Sequence, residues 1–257
     1  MKVASFNVNS IRARLEIVLE WMKKESPDVL CVQETKVIDD DFPQQAFLDI
    51  DYHPVFCGQK SYNGVAVFSK LPAENVRIGF DDEGSEGTRL ITAVINNVPI
   101  VNTYIPQGYD PESDKFKYKL DWFRRLYDYF DSSFSPDKPL LWLGDFNVAP
   151  EPIDVHDPEK LLGSIGYHPD EHAALKRFRE WGFVDVFRMH EPGAEQYSFW
   201  DYRIRNAIKR KVGWRVDHIW ATKPLAAKSV NAWIDTEPRL KEKPSDHTPI
   251  VAEFRIE

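Results

Sequence analysis

The stretch Leu140-Leu141-Trp142-Leu143-Gly144-Asp145-Phe146-Asn147 places a carboxylate and an amide directly after an apolar run. Such a run is typical of a short β-strand that is buried on both faces. Polar and ionisable groups are costly to bury unless they are paired or bind a metal. The end of this strand is therefore a candidate site, and the chain contains further stretches of the same kind.

Four further polar islands lie within or at the end of apolar, strand-like runs. They are Asn7, Gln33-Glu34, Asp217-His218 and Ser245-Asp246-His247. When several strands each end in a carboxylate, an amide or an imidazole, a shared site is the economical explanation. Carboxylate and amide oxygens favour a hard cation such as Mg²⁺, and an imidazole among them indicates phosphate-ester chemistry. Together the islands predict a Mg²⁺-dependent phosphodiesterase.

The acidic and amide islands each have a specific and a plain interpretation. Asn7 and Glu34 can coordinate Mg²⁺ directly or through water, whereas the alternative for Glu34 is an ion pair with Lys36 or Arg12. Asp145 and Asn147 are two residues apart, so on an extended chain they share a face. They can hold and deprotonate a water molecule there, and the alternative is an Asx-type turn.

The histidine islands point to a charged imidazole. Asp217 lies in an apolar run and needs a partner, and a buried Asp that orients and stabilises a protonated His is a recurring arrangement. We therefore interpret Asp217 as the partner of His247, which would face a scissile phosphate. Tyr104 can donate to a phosphate or to the leaving oxygen, or can be a core tyrosine. The histidines without such context are expected to be structural: His53, His156, His168, His172 and His190.

Composition predicts one globular domain spanning residues 1–257, with 42% hydrophobic and 13% aromatic residues and no linker or internal repeat. No apolar run approaches membrane-spanning length. The segment from Lys2 to Val8 resembles a strand rather than a signal peptide. A cytoplasmic protein without a signal peptide or a membrane partner is expected. Cys31 and Cys57 are expected to pack in the core.

The charge distribution leaves nucleic acid open as a partner. The net charge of −8 by itself argues against it, because phosphate contacts need Lys and Arg. Acidic residues cluster at 39–41 and 81–83, however, and basic residues cluster at 115–119 and 203–215. Such a bipolar surface can hold a duplex, although each run can also be a solvated helix face. Aromatic residues that suit stacking on nucleic acid, or core packing, accompany the second basic cluster: Tyr197, Phe199, Trp200, Tyr202 and Trp214.

Apolar periodicity predicts more strands than helices. The predicted strands are Lys2–Val8, Val29–Gln33, Tyr52–Phe56, Val65–Phe68, Leu90–Ile95, Val98–Tyr104, Leu140–Gly144, Val216–Ala221, Ser229–Ile234 and Pro249–Arg255. Two further segments are expected to be extended: Val184–Phe187 and Tyr197–Phe199. The predicted helices are Ile11–Met22, capped by Ser10, Ser113–Phe130 and Asp170–Trp181. Frequent hairpins favour an α/β (α+β) fold of two packed mixed sheets with helices outside.

The islands together resemble the exonuclease III family of abasic-site endonucleases, within the deoxyribonuclease I-like endonuclease/exonuclease/phosphatase superfamily. Eight stretches in family order carry this resemblance: Ser5–Asn9, Leu30–Lys36, Asn63–Ala66, Asn102–Gly108, Gly144–Asn147, Ser198–Arg203, Gly213–Asp217 and Lys243–His247. Each is weak alone, but the ordered set spans nearly the whole chain and is specific.

The resemblance implies a four-layer αββα sandwich with two mixed β-sheets packed face to face. It implies a Mg²⁺-dependent DNA-repair hydrolase, with Mn²⁺ as a substitute metal, that acts in base excision repair. Such an enzyme cleaves the phosphodiester 5′ to abasic sites, with 3′-to-5′ exonuclease and 3′-phosphatase activity. Its partner would be double-stranded DNA with abasic sites or blocked 3′ ends, bound by a monomer at the nucleoid.

The resemblance also assigns roles to individual residues. The implied metal ligands are Asn7, Glu34 and Asp246. The implied catalytic residues are Tyr104, Asp145, Asn147, Asp217 and His247. The residues implied to contact DNA or to line a pocket for a flipped-out abasic sugar are Gln107, Phe199, Trp200, Arg203, Trp214 and Val216.

Two alternative functions are weighed against this one. The first is a phosphatase or phosphodiesterase acting on inositol phosphates, lipids or RNA tails, and the aromatic, basic segment from Tyr197 to Trp214 argues against it. The second is a non-catalytic DNA-binding scaffold, which would have no need of costly buried polar groups. Those groups are intact here: Asn7, Glu34, Asp145, Asn147, Asp217 and His247.

Overall fold

Two mixed six-stranded sheets form the centre of the computed structural model, which describes residues 1–80 and 86–256. The acidic run at 81–83 lies outside the described residues. The first sheet contains, in spatial order, β11 (Ser229–Ile234), β12 (Ile250–Phe254), β1 (Lys2–Asn7), β2 (Val29–Gln33), β4 (Val65–Ser69) and β3 (His53–Cys57). The second contains β5 (Glu74–Ile78), β6 (Leu90–Ile95), β7 (Val98–Tyr104), β8 (Leu141–Asp145), β10 (Asp217–Thr222) and β9 (Phe183–Asp185).

Strand direction brings the polar strand ends together. β1 runs parallel to β2, and β7 runs parallel to β8, so the carboxyl ends of each pair lie at the same sheet edge. In register, Tyr104 is opposite Asp145. β10 runs antiparallel to β8, and its first residue, Asp217, also pairs with Asp145. Three of the predicted site residues therefore lie side by side on one edge of the second sheet.

The helices pack on the outer faces of the sheets or at the margins of the sheets. They are α1 (Leu15–Glu25), α2 (Gln44–Leu48), α3 (Asp114–Ser133), α4 (Pro158–Leu161), α5 (Pro169–Trp181), α6 (Val186–His190) and α7 (Lys223–Ala226). Side chains of α1 and α2 pack on the first sheet, and those of α3 and α5 pack on the second. The described helices include none that is long and apolar enough to cross a membrane.

A separate core lies between the two sheets, with buried residues such as Val3, Ile100 and Ile219 from both. The layer order is therefore helix, sheet, sheet, helix, which confirms the predicted sandwich. Cys31 is buried in this core and Cys57 packs at its margin, both as free thiols. The prediction that the cysteines serve packing is confirmed.

Two differences concern where regular structure begins. The first helix was expected directly after Ser10, but α1 begins at Leu15 and residues 11–14 form a turn. Ser10 Oγ accepts from Ala13 N at 3.4 Å, so it serves the turn and not the helix. The strand β5 was not predicted, because its five residues are all exposed and only two of them, Val76 and Ile78, are apolar.

Two segments that were expected to be extended are only partly regular strand. Val184 and Asp185 belong to β9, as expected. Val186 begins α6 because the Asp185 side chain accepts from Arg188 N and caps a helix there. Residues 197–199 form no strand; Phe199 makes only isolated bridges to neighbouring segments. Local apolar content reveals neither outcome, since the first depends on a polar cap and the second on bridges to distant residues.

The basic clusters are only partly at the surface. Lys119 is completely buried against Glu171, and Arg215 is completely buried against Asp154 and Asp185. Neither can contribute to a basic face. The second cluster retains five exposed cations: Arg203, Arg205, Lys209, Arg210 and Lys211.

Candidate active site

The Asn7 side chain joins the edges of the two sheets. Its Nδ2 donates to Glu34 Oε1 and to Asp145 Oδ2, both at 2.8 Å. Asn7 ends β1 of the first sheet, whereas Asp145 ends β8 of the second. Asn7 Oδ1 accepts from Asn9 N at 3.0 Å, which fixes the orientation of the amide. Three of the predicted site residues therefore meet where the sheets face each other.

Glu34 is an anion held in a strained backbone position directly after β2. Its φ of 54° lies in the left-handed region, which few non-glycine residues adopt. Lys36 Nζ lies 2.7 Å from Glu34 Oε2 and also donates to Asn9 Oδ1 at 2.6 Å. Burial raises the pKa of Glu34, but Lys36 and the Asn7 hydrogen bond oppose it, leaving the pKa below its ordinary value. The alternative ion pair with Lys36 is thus present in addition to the contact with Asn7.

Asp145 is a buried carboxylate that takes up a proton near neutral pH. Gly144 before it has φ 144°, and a Cβ at that position would lie 1.9 Å from Thr103 O, so β8 needs glycine to approach β7 this closely. Asp145 is 1% exposed, and its Oδ1 accepts from Asn147 N at 2.8 Å. Burial raises the pKa of Asp145 and His247 opposes the rise, with a resulting pKa of about 7.

His247 is held as an imidazolium. Its Nδ1 donates to Asp217 Oδ2 at 2.8 Å, and the same oxygen accepts from Ser198 Oγ at 2.6 Å. Its Nε2 lies 3.8 Å from Asp145 Oδ2. Burial lowers the pKa of His247, but Asp217 and then Asp145 outweigh it and raise the pKa to about 10. The predicted pairing of Asp217 with His247 is therefore present in the structure.

The donor set fits a hard cation. Ligand atoms of Glu34, Asp145 and His247 all lie within 4.8 Å of one another. A protonated imidazole has no free lone pair for a metal, so the two carboxylates are the available ligands, with the Asn7 amide beside them. One or two carboxylates with several waters is the usual way in which proteins hold Mg²⁺.

Asp246 is connected to this group through Asn9 and Lys36. Its Oδ1 accepts from Asn9 Nδ2 at 3.0 Å, and Asn9 in turn accepts from Lys36. The role of Asp246 as a metal ligand stays a prediction, and its contact with Asn9 connects it to Lys36 and Glu34.

Tyr104 lies beside the carboxylates with its proton retained. The Arg89 guanidinium stacks 4.7 Å from the centre of its ring. Burial raises the pKa of Tyr104 well above its ordinary value, and the charges of Glu34 and Asp145 raise it further. The phenol is thus a hydrogen-bond donor at neutral pH.

A cavity of about 430 Å³ opens next to His247 and Asn147. Its walls include five of the six residues that the resemblance assigned to DNA or the sugar pocket: Gln107, Phe199, Arg203, Trp214 and Val216. The Phe199 ring packs against the His247 ring with centroids 4.8 Å apart. The apolar walls therefore adjoin the charged site directly.

Trp200 needs a correction, because it does not line this cavity. It is 4% exposed and packs with Tyr197 and Ala207 in a local core. Adjacent residues of the same extended segment point to opposite sides, so Phe199 faces the cavity and Trp200 faces away. Two neighbouring aromatic residues look equivalent in the sequence, and only the packing distinguishes them.

Several cavity residues were missed by the sequence reasoning. His156, expected to be structural, lines the wall, with its Nδ1 3.3 Å from Gly213 O and its ring edge-on to Trp214. Leu161, Ile165 and Gly166 also line it. Residues 161–166 carry no motif and reach the cavity only through the path of the chain.

Comparisons with known proteins agree with this geometry. The model of the Endonuclease/Exonuclease/phosphatase family matches residues 4–247. Exodeoxyribonuclease III of Haemophilus influenzae is 34% identical over 99% of this chain and 100% of its own length. The structure of an AP endonuclease from Archaeoglobus fulgidus is 49% identical, with complete coverage of both chains and a TM-score of 0.97.

A third relative was solved together with nucleic acid. The structure of a 3′ phosphatase from Neisseria, bound to a product DNA hairpin, is 35% identical, with complete coverage of both chains and a TM-score of 0.94. These relatives match the whole chain and share its two-sheet fold. The chain therefore belongs to the endonuclease/exonuclease/phosphatase family and is a hydrolase of the nuclease type.

Proposed function

We propose that this chain is a Mg²⁺-dependent DNA-repair nuclease that cleaves duplex DNA on the 5′ side of abasic sites and trims blocked 3′ ends. The observation that carries the proposal is the cavity beside His247 and Asn147. An abasic sugar has no base to stack, so its extrusion from the duplex costs little. Phe199, Trp214 and Val216 offer it an apolar wall. Relatives named as AP endonuclease, exodeoxyribonuclease III and 3′ phosphatase support the same activities.

Asp145 activates the attacking water in this proposal. The Asn147 backbone N–H holds Asp145 Oδ1, which leaves Oδ2 directed towards His247. A carboxylate with a pKa of about 7 accepts a proton from water far more readily than an exposed carboxylate does. The proton of the attacking water therefore passes to Asp145 as the water oxygen approaches phosphorus.

His247 and Tyr104 stabilise the charges that develop on the phosphate and the leaving group. The imidazolium Nε2, which lies 3.8 Å from Asp145 Oδ2, donates to a phosphate oxygen and neutralises its charge. The Tyr104 phenol donates a hydrogen bond to the leaving oxygen. A bond forms between the water oxygen and phosphorus, and the bond from phosphorus to the 3′ oxygen breaks. The 3′ oxygen leaves with the bonding electron pair and takes up a proton from solvent, so the products are a 3′-hydroxyl end and a 5′-phosphate on the abasic sugar.

Glu34 would hold the Mg²⁺ ion, or Mn²⁺ in its place, with Asn7 beside it, and Asp145 stays available as the base. When bound, the ion supplies Lewis-acid neutralisation of the phosphate charge. Lys36 keeps Glu34 ionised and in position. The Asn7 amide donates to both Glu34 and Asp145 across the sheets, so these side chains are ordered before any ion arrives.

The duplex would lie along the basic segment that borders the cavity. Arg203 lines the cavity, and the exposed cations of 203–211 continue from it. Phosphate contacts from such a segment make binding salt-dependent. Because this surface is local, a net charge of −8 does not oppose it. We propose that the whole chain acts in this way as one catalytic domain, as a monomer in the cytoplasm.

The proposal is tested on an end-labelled duplex that carries one tetrahydrofuran abasic analogue, with Mg²⁺ and with EDTA. An undamaged duplex and a duplex with a 3′-phosphate are run beside it, and the Asp145→Asn variant is the inactive control. A single Mg²⁺-dependent cut on the 5′ side of the lesion is expected. A ladder on undamaged DNA without that cut would reassign the chain to exonuclease action, and no cleavage of any duplex would refute the proposal.

A further inference from the structure

Lys119 is a buried lysine whose three N–H groups all have acceptors. It lies on α3 and is 0% exposed. Its Nζ contacts Glu171 Oε1 at 2.5 Å and donates to Asn147 O at 2.8 Å and Gln107 O at 3.2 Å. An ammonium carries three donors and no acceptor. Every donor is therefore used, in a place where water cannot substitute.

Glu171 is equally buried and equally saturated. It lies in the first turn of α5, is 0% exposed, and pairs with Lys119 from the facing helix. Its Oε1 also accepts from Gly166 N at 3.2 Å, and its Oε2 accepts from His168 N at 3.0 Å. The carboxylate thus holds the backbone that leads into α5.

The backbone groups held by this ion pair belong to three separate loops around the cavity. Gln107 follows β7, Asn147 follows β8, and Gly166 precedes α5, and all three line the cavity. Gly108 has φ 99°, and a Cβ there would lie 3.2 Å from Lys119 Cδ, so the first loop packs tightly on the lysine stem. Within the described chain, no other buried ion pair contacts all three of these loops.

We propose that the Lys119–Glu171 ion pair is the positioning device of the cleavage site, which sets Asn147 against Asp145 and fixes the cavity walls at Gln107 and Gly166. Neither residue touches substrate in this role. Both act through the loops that they hold. The inference rests on the proposed function for the reaction that it affects.

A buried ion pair is well suited to fixing the position of loop backbone groups, whereas it contributes little to the stability of the fold. Replacing a buried ion pair by apolar groups is often neutral or stabilising, because desolvation offsets the attraction. An apolar contact is not directional, however, and cannot fix the carbonyl groups of Asn147 and Gln107. A displacement of about 1 Å at a catalytic group can cost a hundredfold in rate.

The test is the double variant Lys119→Met/Glu171→Gln, which leaves no buried charge unpaired. We expect kcat on the abasic duplex to fall by about 10- to 100-fold, with KM changed by less than about threefold. Hydrogen exchange of the unliganded protein should be about tenfold faster at the Asn147 and Ala149 amides, since the whole loop loosens. Neither amide donates to Lys119 or Glu171; they donate to Asp145 Oδ1 and Gly166 O.

Leu175→Ala is the matched control. Leu175 lies one turn further along α5, is buried in the outer core and does not line the cavity. This variant should lose stability yet keep kcat and the exchange of both loop amides within about twofold. The two variants are compared under conditions where their free energies of unfolding are equal. If the double variant then keeps kcat and the exchange of both loop amides within about twofold, as Leu175→Ala does, the positioning role is refuted.

A second variant covers the case in which the double variant does not fold. Lys119→Arg keeps the positive charge, but a planar guanidinium cannot reproduce the three directions of the ammonium. It should show the same loss of kcat and the same faster exchange, and wild-type values would overturn the proposal. If the wild-type protein does not cut abasic DNA, the proposed function fails, while the exchange measurement still decides the positioning role.

Discussion

Asp217 and His247 are joined by a hydrogen bond of 2.8 Å between Oδ2 and Nδ1, with the two residues 0% and 4% exposed. Ser198 donates to the same carboxylate oxygen and fixes it. A buried imidazole would by itself lose its proton readily, but Asp217 reverses this and raises the pKa of His247 to about 10. The pair therefore supplies a fixed positive charge next to Asp145.

Asp217→Asn should shift the alkaline limit of activity. Removing the carboxylate charge lowers the pKa of His247 from about 10 towards its ordinary 6.5. Since the imidazolium form is the active one, activity is lost as pH rises through this pKa. The alkaline limit should therefore move down by about two units or more. Single-turnover rates between pH 6 and 9.5 measure it, with the exposed Asp137→Asn as control. An unmoved limit would show that His247 is not needed in its charged form.

Asp145→Asn should abolish turnover while sparing the complex with DNA. Asn cannot accept a proton from water, but it retains an acceptor oxygen for Asn147 N. The rate should fall by about 10³-fold or more, with duplex affinity within about threefold. Fluorescence anisotropy in Ca²⁺ reports the affinity. Lost binding together with lost turnover would make the role of Asp145 structural.

Glu34→Ala should weaken activity chiefly at limiting Mg²⁺. The change removes one of two carboxylates in the cluster and leaves Asp145 in place. The Mg²⁺ concentration for half-maximal cleavage should rise by about tenfold or more, with recovery at high Mg²⁺. Glu20→Ala, an exposed carboxylate on α1, is the control. Equal loss at every Mg²⁺ concentration would remove Glu34 as a ligand.

Trp214→Ala should harm abasic incision more than removal of a 3′-phosphate. The indole forms part of the cavity wall, and only the abasic substrate needs to place a sugar there. Incision should fall by about tenfold more than phosphate release, since loss of an apolar wall costs 1–3 kcal/mol of discrimination. Both rates are measured on duplexes of the same sequence. A uniform loss would argue against a sugar pocket.

His218 should make the fold sensitive to acid. Burial and the Arg215 charge lower the pKa of His218 to about 3, so the folded chain does not bind a proton there between pH 6.5 and 3. The unfolded chain does bind that proton, so lowering the pH favours unfolding. In that window the free energy of unfolding decreases by about 1.4 kcal/mol for each pH unit of acidification. His218→Gln should be less stable at pH 7 but show a shallower slope in urea unfolding between pH 6.5 and 4. Equal slopes would contradict this origin.

Much of the site could be predicted because its members are locally conspicuous. Glu34 and Asp145 each end an apolar run, and a buried carboxylate is costly unless it has a partner or a metal, so both residues indicate a site. The pairing of Asp217 with His247 followed from the same argument. The boundaries of α1 and the state of residues 186–190 could not be predicted, because they depend on a turn and a cap that local periodicity does not record.

The burial of Lys119 and Arg215 is the feature that the sequence was least able to predict. Lys119 and Arg215 look like the exposed lysines and arginines beside them in the chain, yet both are buried. Burial of a cation requires an anion at hydrogen-bonding distance, and those anions, such as Glu171 and Asp154, come from other elements. Their spacing from the cations follows no local period.

The sequence by itself determined most of the strands, which of them end in polar groups, and hence the kind of chemistry at this edge of the sheets. Those properties depend on residue type and on the two-residue repeat of a strand. The tertiary structure alone decided that Phe199 and not Trp200 faces the cavity, and that Lys119 holds the loops. Each of these depends on the meeting of segments far apart in the chain, which no local pattern encodes.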